Sequence, residues 1–216
     1  MKNSRWNSTI CAGQTGYLTG WGVFSTIRVY DGILFAWERH YARMKHDAEL
    51  MRVPFPADPN WLEERLYRLI AANDAKNATL RVNVVRNHGG LFQGHRETPE
   101  FDVVAFTANV YAWGESVRLG VVPHGRHAGN EFAGVKNTSW AQNLTWYERC
   151  HEQGWDEVVL LNERGEVSEC TSANIFVAQG GADTVALPER ARKQVASLEK
   201  IGAHPVYLEV PDATHG

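Results

Sequence analysis

The pair Asp31-Gly32 stands between two runs rich in β-branched and aromatic residues, within 22–35, and nothing else in the chain narrows its fold as far. A two-residue hairpin turn needs positive φ at both central positions, which Asp-Gly tolerates better than almost any other pair, so 22–35 predicts a β-hairpin. The period then changes: Trp37, Tyr41, Met44, Ala48 and Met51 recur at helical spacing, and Pro54 ends the run. A hairpin that leads straight into an amphipathic helix buries both apolar faces by laying the helix on the sheet. His40, Arg43 and Asp47 form the adjacent stripe, which puts Arg43 at the edge of the buried face, within reach of an anion.

Asp58 and Pro59 read as the start of a second helix, with Leu62, Leu66, Leu69 and Ile70 on its apolar side. Residues 73–77 read as a turn, 80–86 alternate as a strand, and 101–110 form a further strand. Arg81 and Arg86 lie on the alternating strand, where an inward-facing guanidinium usually holds a carboxylate. A break at 112–117 separates a first domain, 1–114, from a strand at 117–123 that opens a second. Trp140, Leu144, Tyr147 and His151 mark a helix ending at Gly154. The apolar run 157–161 suits a strand buried on both faces, and 162–165 returns the chain into a strand over 167–177. On that strand Glu169 shares a face with Val167, Ile175 and Val177, and a carboxylate in such company needs a partner, for which a pyridinium nitrogen would serve.

Lys136 lies among small and apolar neighbours in 131–140, just before the helix. Burial disfavours the charged form of a lysine, and the free amine is the species that condenses with an aldehyde, so Lys136 is the candidate for a Schiff base. The 216 residues are 44% apolar and 22% charged with a net charge of -3, which offers no basic footprint for nucleic acid and no cationic run for a membrane. A small-molecule partner is expected. Cys11, Cys150 and Cys170 are odd in number and lack C-x-x-C spacing, so neither a disulfide framework nor a zinc site is indicated. With no leader pattern and no apolar run of spanning length, the chain reads as cytoplasmic.

Taken together, the motifs resemble the class IV, or D-amino-acid/branched-chain-like, aminotransferases over roughly 17–178. The resemblance rests on 22–28 with its hairpin, on 38–44, on the Lys136 loop, and on 154–176, the most specific block. It implies an α/β (α+β) two-domain fold: an N-terminal domain at 1–114, a partial cofactor-binding domain at 115–179, and an atypical tail at 180–216. It also implies pyridoxal 5'-phosphate as cofactor, with Lys136 carrying it covalently and shuttling the α-proton. Glu169 would hold the ring nitrogen, Arg43 would clamp the phosphate, Asn174 would join the cofactor site, and Arg28 and Arg81 would lie on the substrate side. The implied reaction is transamination between an amino acid and a 2-oxo acid, branched-chain first, by a homodimer without nucleic-acid or membrane partners. Aminodeoxychorismate lyase chemistry and an inactive truncated or chimeric product are the alternatives.

The chain departs from the family pattern in three places. Trp140 stands where many members have tyrosine, Ser25 where many have glutamate, and no Gly-Ile-Thr-like phosphate loop follows 178. The tail resembles instead the end of an α/β-hydrolase, with Asp183 and His215 in the acid and base positions, yet no G-x-S-x-G nucleophile elbow exists to complete a serine hydrolase. A helix over 189–200 and a strand over 205–210 are expected there.

Overall fold

The computed structural model describes residues 14–90, 99–175 and 177–180, the strand at 207–210, and the helical positions Glu189, Arg192, Lys193 and Ala196. The chain divides into two compact units, Met1–Ala112 with Val135–Trp140, and Trp113–Gly134 with Ala141–Gly216. The segment that carries Lys136 therefore belongs with the first unit, although it follows the first strand of the second.

In the first unit a short helix α1 (Thr15–Thr19) closes on Gly20, whose φ of 68° gives a left-handed cap. Strand β1 (Gly22–Tyr30) turns through Asp31 and Gly32, at φ 47° and 80°, into β2 (Ile33–Leu34). The turn chemistry is the expected one, but β2 pairs with only the last two residues of β1, Val29 and Tyr30. Helix α2 (Trp37–Leu50) and helix α3 (Pro59–Ala72) follow, the second capped by the Asp58 carboxylate, which accepts from Asn60 N at 2.9 Å. Strands β3 (Ala78–Arg86) and β4 (Phe101–Ala108) complete an antiparallel sheet of order β2-β1-β3-β4.

Register decides which residues meet. Val23 pairs with Val84, Ile27 with Leu80 and Val29 with Ala78, and all six point to the face covered by Trp37, Tyr41, Met44 and Ala48 of α2 and Leu62, Leu66 and Ile70 of α3. The period of two on the strands and 3.6 on the helices thus converge on one core. The opposite face receives Phe24, across from Asn83, and Arg81, across from Thr26.

In the second unit β5 (Leu119–Val122), helix α4 (Ala141–Glu152), β6 (Glu157–Leu161) and β7 (Val167–Cys170) build a sheet of order β5-β6-β7. Strand β6 is central, parallel to β5 and antiparallel to β7, which is why its apolar run is buried. Two sequence expectations need correction here. The buried face of α4 is Asn143 and Cys150, with Trp146 packed on the Cys150–Val158–Leu160 cluster, whereas Leu144 is 50% exposed. The strand expected over 167–177 stops at Cys170, so Glu169 does not share a continuous strand face with Ile175 and Val177. The chain resumes as β8 (Val177–Gly180), which pairs in parallel with β9 (Tyr207–Val210).

Strand β9 falls within the expected 205–210, and Glu189, Arg192, Lys193 and Ala196 are helical within the expected 189–200. Asp183 and His215 lie outside the described residues. Among the described residues no helix is long and apolar enough to cross a membrane.

Leu80 is fully buried, while Phe106 on β4 is 49% exposed. Leu80→Ala is expected to cost about 2–5 kcal/mol of unfolding free energy in a urea titration and Phe106→Ala less than about 1 kcal/mol. Equal losses would mean that the helix-covered face is not the core.

Candidate active site

Lys136 is presented by the open edge of β1. Because β2 ends after two residues, the β1 backbone near Gly22 has, among the described residues, no strand beside it on that side, and the lysine segment takes the place. Phe24 N donates to Lys136 O at 3.0 Å, Thr138 N donates to Gly22 O at 2.9 Å, and Val23 bridges Asn137. Lys136 N donates in turn to the Asp47 carboxylate of α2 at 3.1 Å. Thr138 Oγ1 and Ser139 Oγ both donate to Gly20 O, at 2.7 and 3.0 Å. The two backbone polar groups of Lys136 are thus held by two different elements.

Phe24, 2% exposed, is the surface against which this region is arranged. The Lys136 Nζ lies 5.7 Å from its ring centroid, and Trp140 meets it edge-on at 5.4 Å. The Arg81 guanidinium stacks 3.7 Å above the same ring and 4.9 Å from Trp140, and its Nε reaches Asn83 Oδ1 at 3.4 Å. Burial lowers the pKa of Arg81 from its ordinary value, and among the described residues no carboxylate is ion-paired with it. Trp140, a departure from the family tyrosine, is here an aromatic wall for that cation. Arg28 is taken up further along β1, donating to Ala78 O at 3.4 Å and lying 6.0 Å from the Tyr30 ring.

On the helix side, the buried Ser25 Oγ shares a 2.7 Å hydrogen bond with His40 Nδ1. Burial, and behind it the charges of Lys136 and Arg43, holds His40 below the ordinary imidazole value, so the ring is neutral at pH 7. Arg43, 48% exposed in its side chain, lies 3.7 Å from the Asp47 carboxylate one turn on.

The second unit carries Glu169 and Asn174. Glu169 is 49% exposed and its Oε1 lies 2.5 Å from Arg126 Nε; Arg126 Nη2 also donates to Asn143 Oδ1 at 2.7 Å. Asn174 is exposed. The sequence reading missed two residues of this unit. Arg126 sits in a loop without periodicity and left no signal. Glu157, 2% exposed, opens the buried strand β6, and a carboxylate at that position demands partners, which is the signal that could have found it. Its oxygens accept from Val158 N at 2.7 Å, from Ser172 N at 2.9 Å, and from the hydroxyls of Thr171 and Ser172. This clasp bends the chain just after Cys170 and accounts for the early end of β7. Burial pushes the Glu157 pKa up, but the bonds from Ser172, Thr171 and Val158 outweigh it and hold the carboxyl below its ordinary value.

A family model for amino-transferase class IV matches residues 22–192, from the start of β1 to beyond the 178 limit read from the motifs. The chain belongs to that family. A D-alanine aminotransferase of Listeria monocytogenes is 24% identical over 224 residues, covering 94% of this chain and 73% of the relative. An aminodeoxychorismate lyase of Vibrio harveyi is 27% identical over 171 residues, covering 76% and 61%. Against a Methanocaldococcus jannaschii relative the match spans 59% of that protein's length. Among solved structures, a branched-chain amino acid aminotransferase of Escherichia coli superposes with a TM-score of 0.68 at 20% identity, covering 95% of this chain and 72% of that one. The class IV fold is therefore shared, and the matched part of this chain reaches into its tail.

The Glu157 clasp has a pH signature. A carboxyl whose folded pKa is depressed contributes stability that is present above its ordinary value near 4.5 and is lost as pH falls through the folded value. Glu157→Gln is expected to lower stability at pH 7 by about 1–3 kcal/mol and to flatten the acid limb of the stability curve. Denaturant titrations at pH 7 and pH 4 measure both, and an unchanged acid limb would remove Glu157 as its source.

Proposed function

We propose that this chain transaminates an amino acid against a 2-oxo acid with pyridoxal 5'-phosphate as cofactor, and that branched-chain amino acids are the substrate class. The observation that carries the reading is the fixing of Lys136: its backbone N–H and C=O are both bonded, to Asp47 and to Phe24, and its amine is held at an aromatic surface. The donor set suits that cofactor, with a primary amine for an aldehyde, the Arg43 guanidinium for a phosphate, and the Glu169 carboxylate on the second unit for a protonated ring nitrogen. When bound, pyridoxal phosphate supplies that aldehyde and a ring that draws electrons from the substrate α-carbon.

The chain's own residues supply the rest. Lys136 Nζ removes the proton from the substrate α-carbon and returns it. Neutral His40 adds no positive charge beside the amine that must accept that proton. Arg81, set over Phe24 and beside Trp140 with no carboxylate of its own among the described residues, receives the substrate carboxylate, while the partly exposed Trp140 ring offers an apolar wall to an aliphatic side chain. Arg28 serves the substrate side and Asn174 the cofactor site. Arg126 orients Glu169 through their 2.5 Å contact.

The same cluster favours one second reading, a lyase acting on aminodeoxychorismate, because a cation set over Phe24 and beside Trp140 also suits a cyclic carboxylate. Product analysis separates the two: a 2-oxo acid from the amino donor supports transamination, and pyruvate released from aminodeoxychorismate supports the lyase.

Borohydride reduction after incubation with pyridoxal phosphate is expected to place the label on Lys136 by peptide mapping. A label on another lysine, or none with excess cofactor, overturns the assignment. Glu169→Gln is expected to keep that label while slowing the half-reaction with an amino donor on the order of 100-fold in single-turnover absorbance measurements; an undiminished rate would strip Glu169 of its role.

A further inference from the structure

Asp47 is 4% exposed and stands near the C-terminal end of α2, which finishes at Leu50. That is a poor place for an acid. The C-terminal end of a helix carries partial negative charge, and an ion pair with the acid four residues after the base, as in Arg43 and Asp47, has the less favourable orientation. Helix stability therefore gives no reason for a buried carboxylate at this position. Its two contacts give one: the same oxygen, Oδ2, accepts the Lys136 backbone N–H at 3.1 Å and lies 3.7 Å from Arg43 Nε.

We propose that Asp47 is a positioning residue that ties the lysine segment to the phosphate-binding arginine, and that its charge weakens the hold of Arg43 on a phosphate. The proposal rests on the roles given above to Lys136 and Arg43. Its first half follows from the hydrogen bond, since the lysine segment is anchored to α2 through this acceptor. The second half follows from charge. A phosphate that reaches Arg43 meets a guanidinium already partly neutralised, with the Asp47 carboxylate only one side chain further away. The pocket is thereby set for a cofactor that is held by its covalent attachment to the lysine more than by its phosphate.

Asparagine and alanine at position 47 separate the two halves. Asp47→Asn retains an acceptor oxygen for the Lys136 N–H and removes the charge; Asp47→Ala removes both. Calorimetric titration of the cofactor-free protein with inorganic phosphate is expected to show about tenfold tighter binding in Asp47→Asn than in the wild type, and none in Arg43→Ala. Borohydride trapping with pyridoxal, which has no phosphate, is expected to label Lys136 at the wild-type rate in Asp47→Asn and at least about fivefold more slowly in Asp47→Ala, with thermal melts confirming that each variant is folded. Equal or weaker phosphate binding in Asp47→Asn would overturn the charge argument, and equal trapping in a folded Asp47→Ala would overturn the tether. The underlying roles fail differently: phosphate binding that survives Arg43→Ala removes Arg43 as the clamp, and a wild type that takes no label at Lys136 removes the lysine.

Discussion

The candidate site depends on one edge of one strand. Strand β1 is paired along nearly its whole length with β3, but its other edge is covered by β2 only at the end next to the hairpin. The unpaired groups at Gly22 and Phe24 must find partners, because a backbone N–H or C=O left buried and unbonded costs about as much as a lost hydrogen bond. They find them in Lys136 and Thr138. A short second strand in the hairpin is thus what makes room for the lysine, and the lysine segment joins the sheet without being one of its strands.

The same edge sorts the neighbouring side chains. Alternation along β1 sends Ser25 to the helix side, where it meets His40, and Phe24 to the opposite side, where Arg81 and Trp140 gather on its ring. Polar and cationic groups therefore surround the lysine from both faces of the sheet without a charged cluster in the core. Among the described residues only Asp47 brings a buried carboxylate to the group, and it does so from α2 by bonding to backbone.

The second unit uses a carboxylate differently. Glu157 is buried at the start of β6 and gathers Thr171 and Ser172, the two residues that follow the end of β7 at Cys170. Glu169, just before that end, is left half-exposed and is met by Arg126. One acid sets the shape of the chain and the other remains available for chemistry, a difference that follows from burial and from the kind of partner: hydroxyls and amides for Glu157, a guanidinium for Glu169.

The elements written in local chemistry were legible from the sequence alone. The Asp31-Gly32 turn, the α2 stripe of Trp37, Tyr41, Met44 and Ala48, the Asp58 cap and the buried run of β6 each depend on neighbours within a few residues, so spacing and turn preference suffice to read them. Lys136, Arg43, Arg81 and Glu169 were singled out as side chains at meaningful positions, but their partners were not. Arg126 meets Glu169 across 43 residues and Asp47 meets Lys136 across 89, separations at which periodicity carries no information. The break after Cys170 and the true buried face of α4 were decided in the same way, by a carboxylate and a packing cluster supplied from elsewhere in the chain. The sequence by itself determined the turn, the cap and the periodic runs, and which residue types are present for the chemistry. Only the tertiary structure decided which edge stays open and which charges meet there, because hydrogen bonds and ion pairs depend on distance in space and not on distance along the chain.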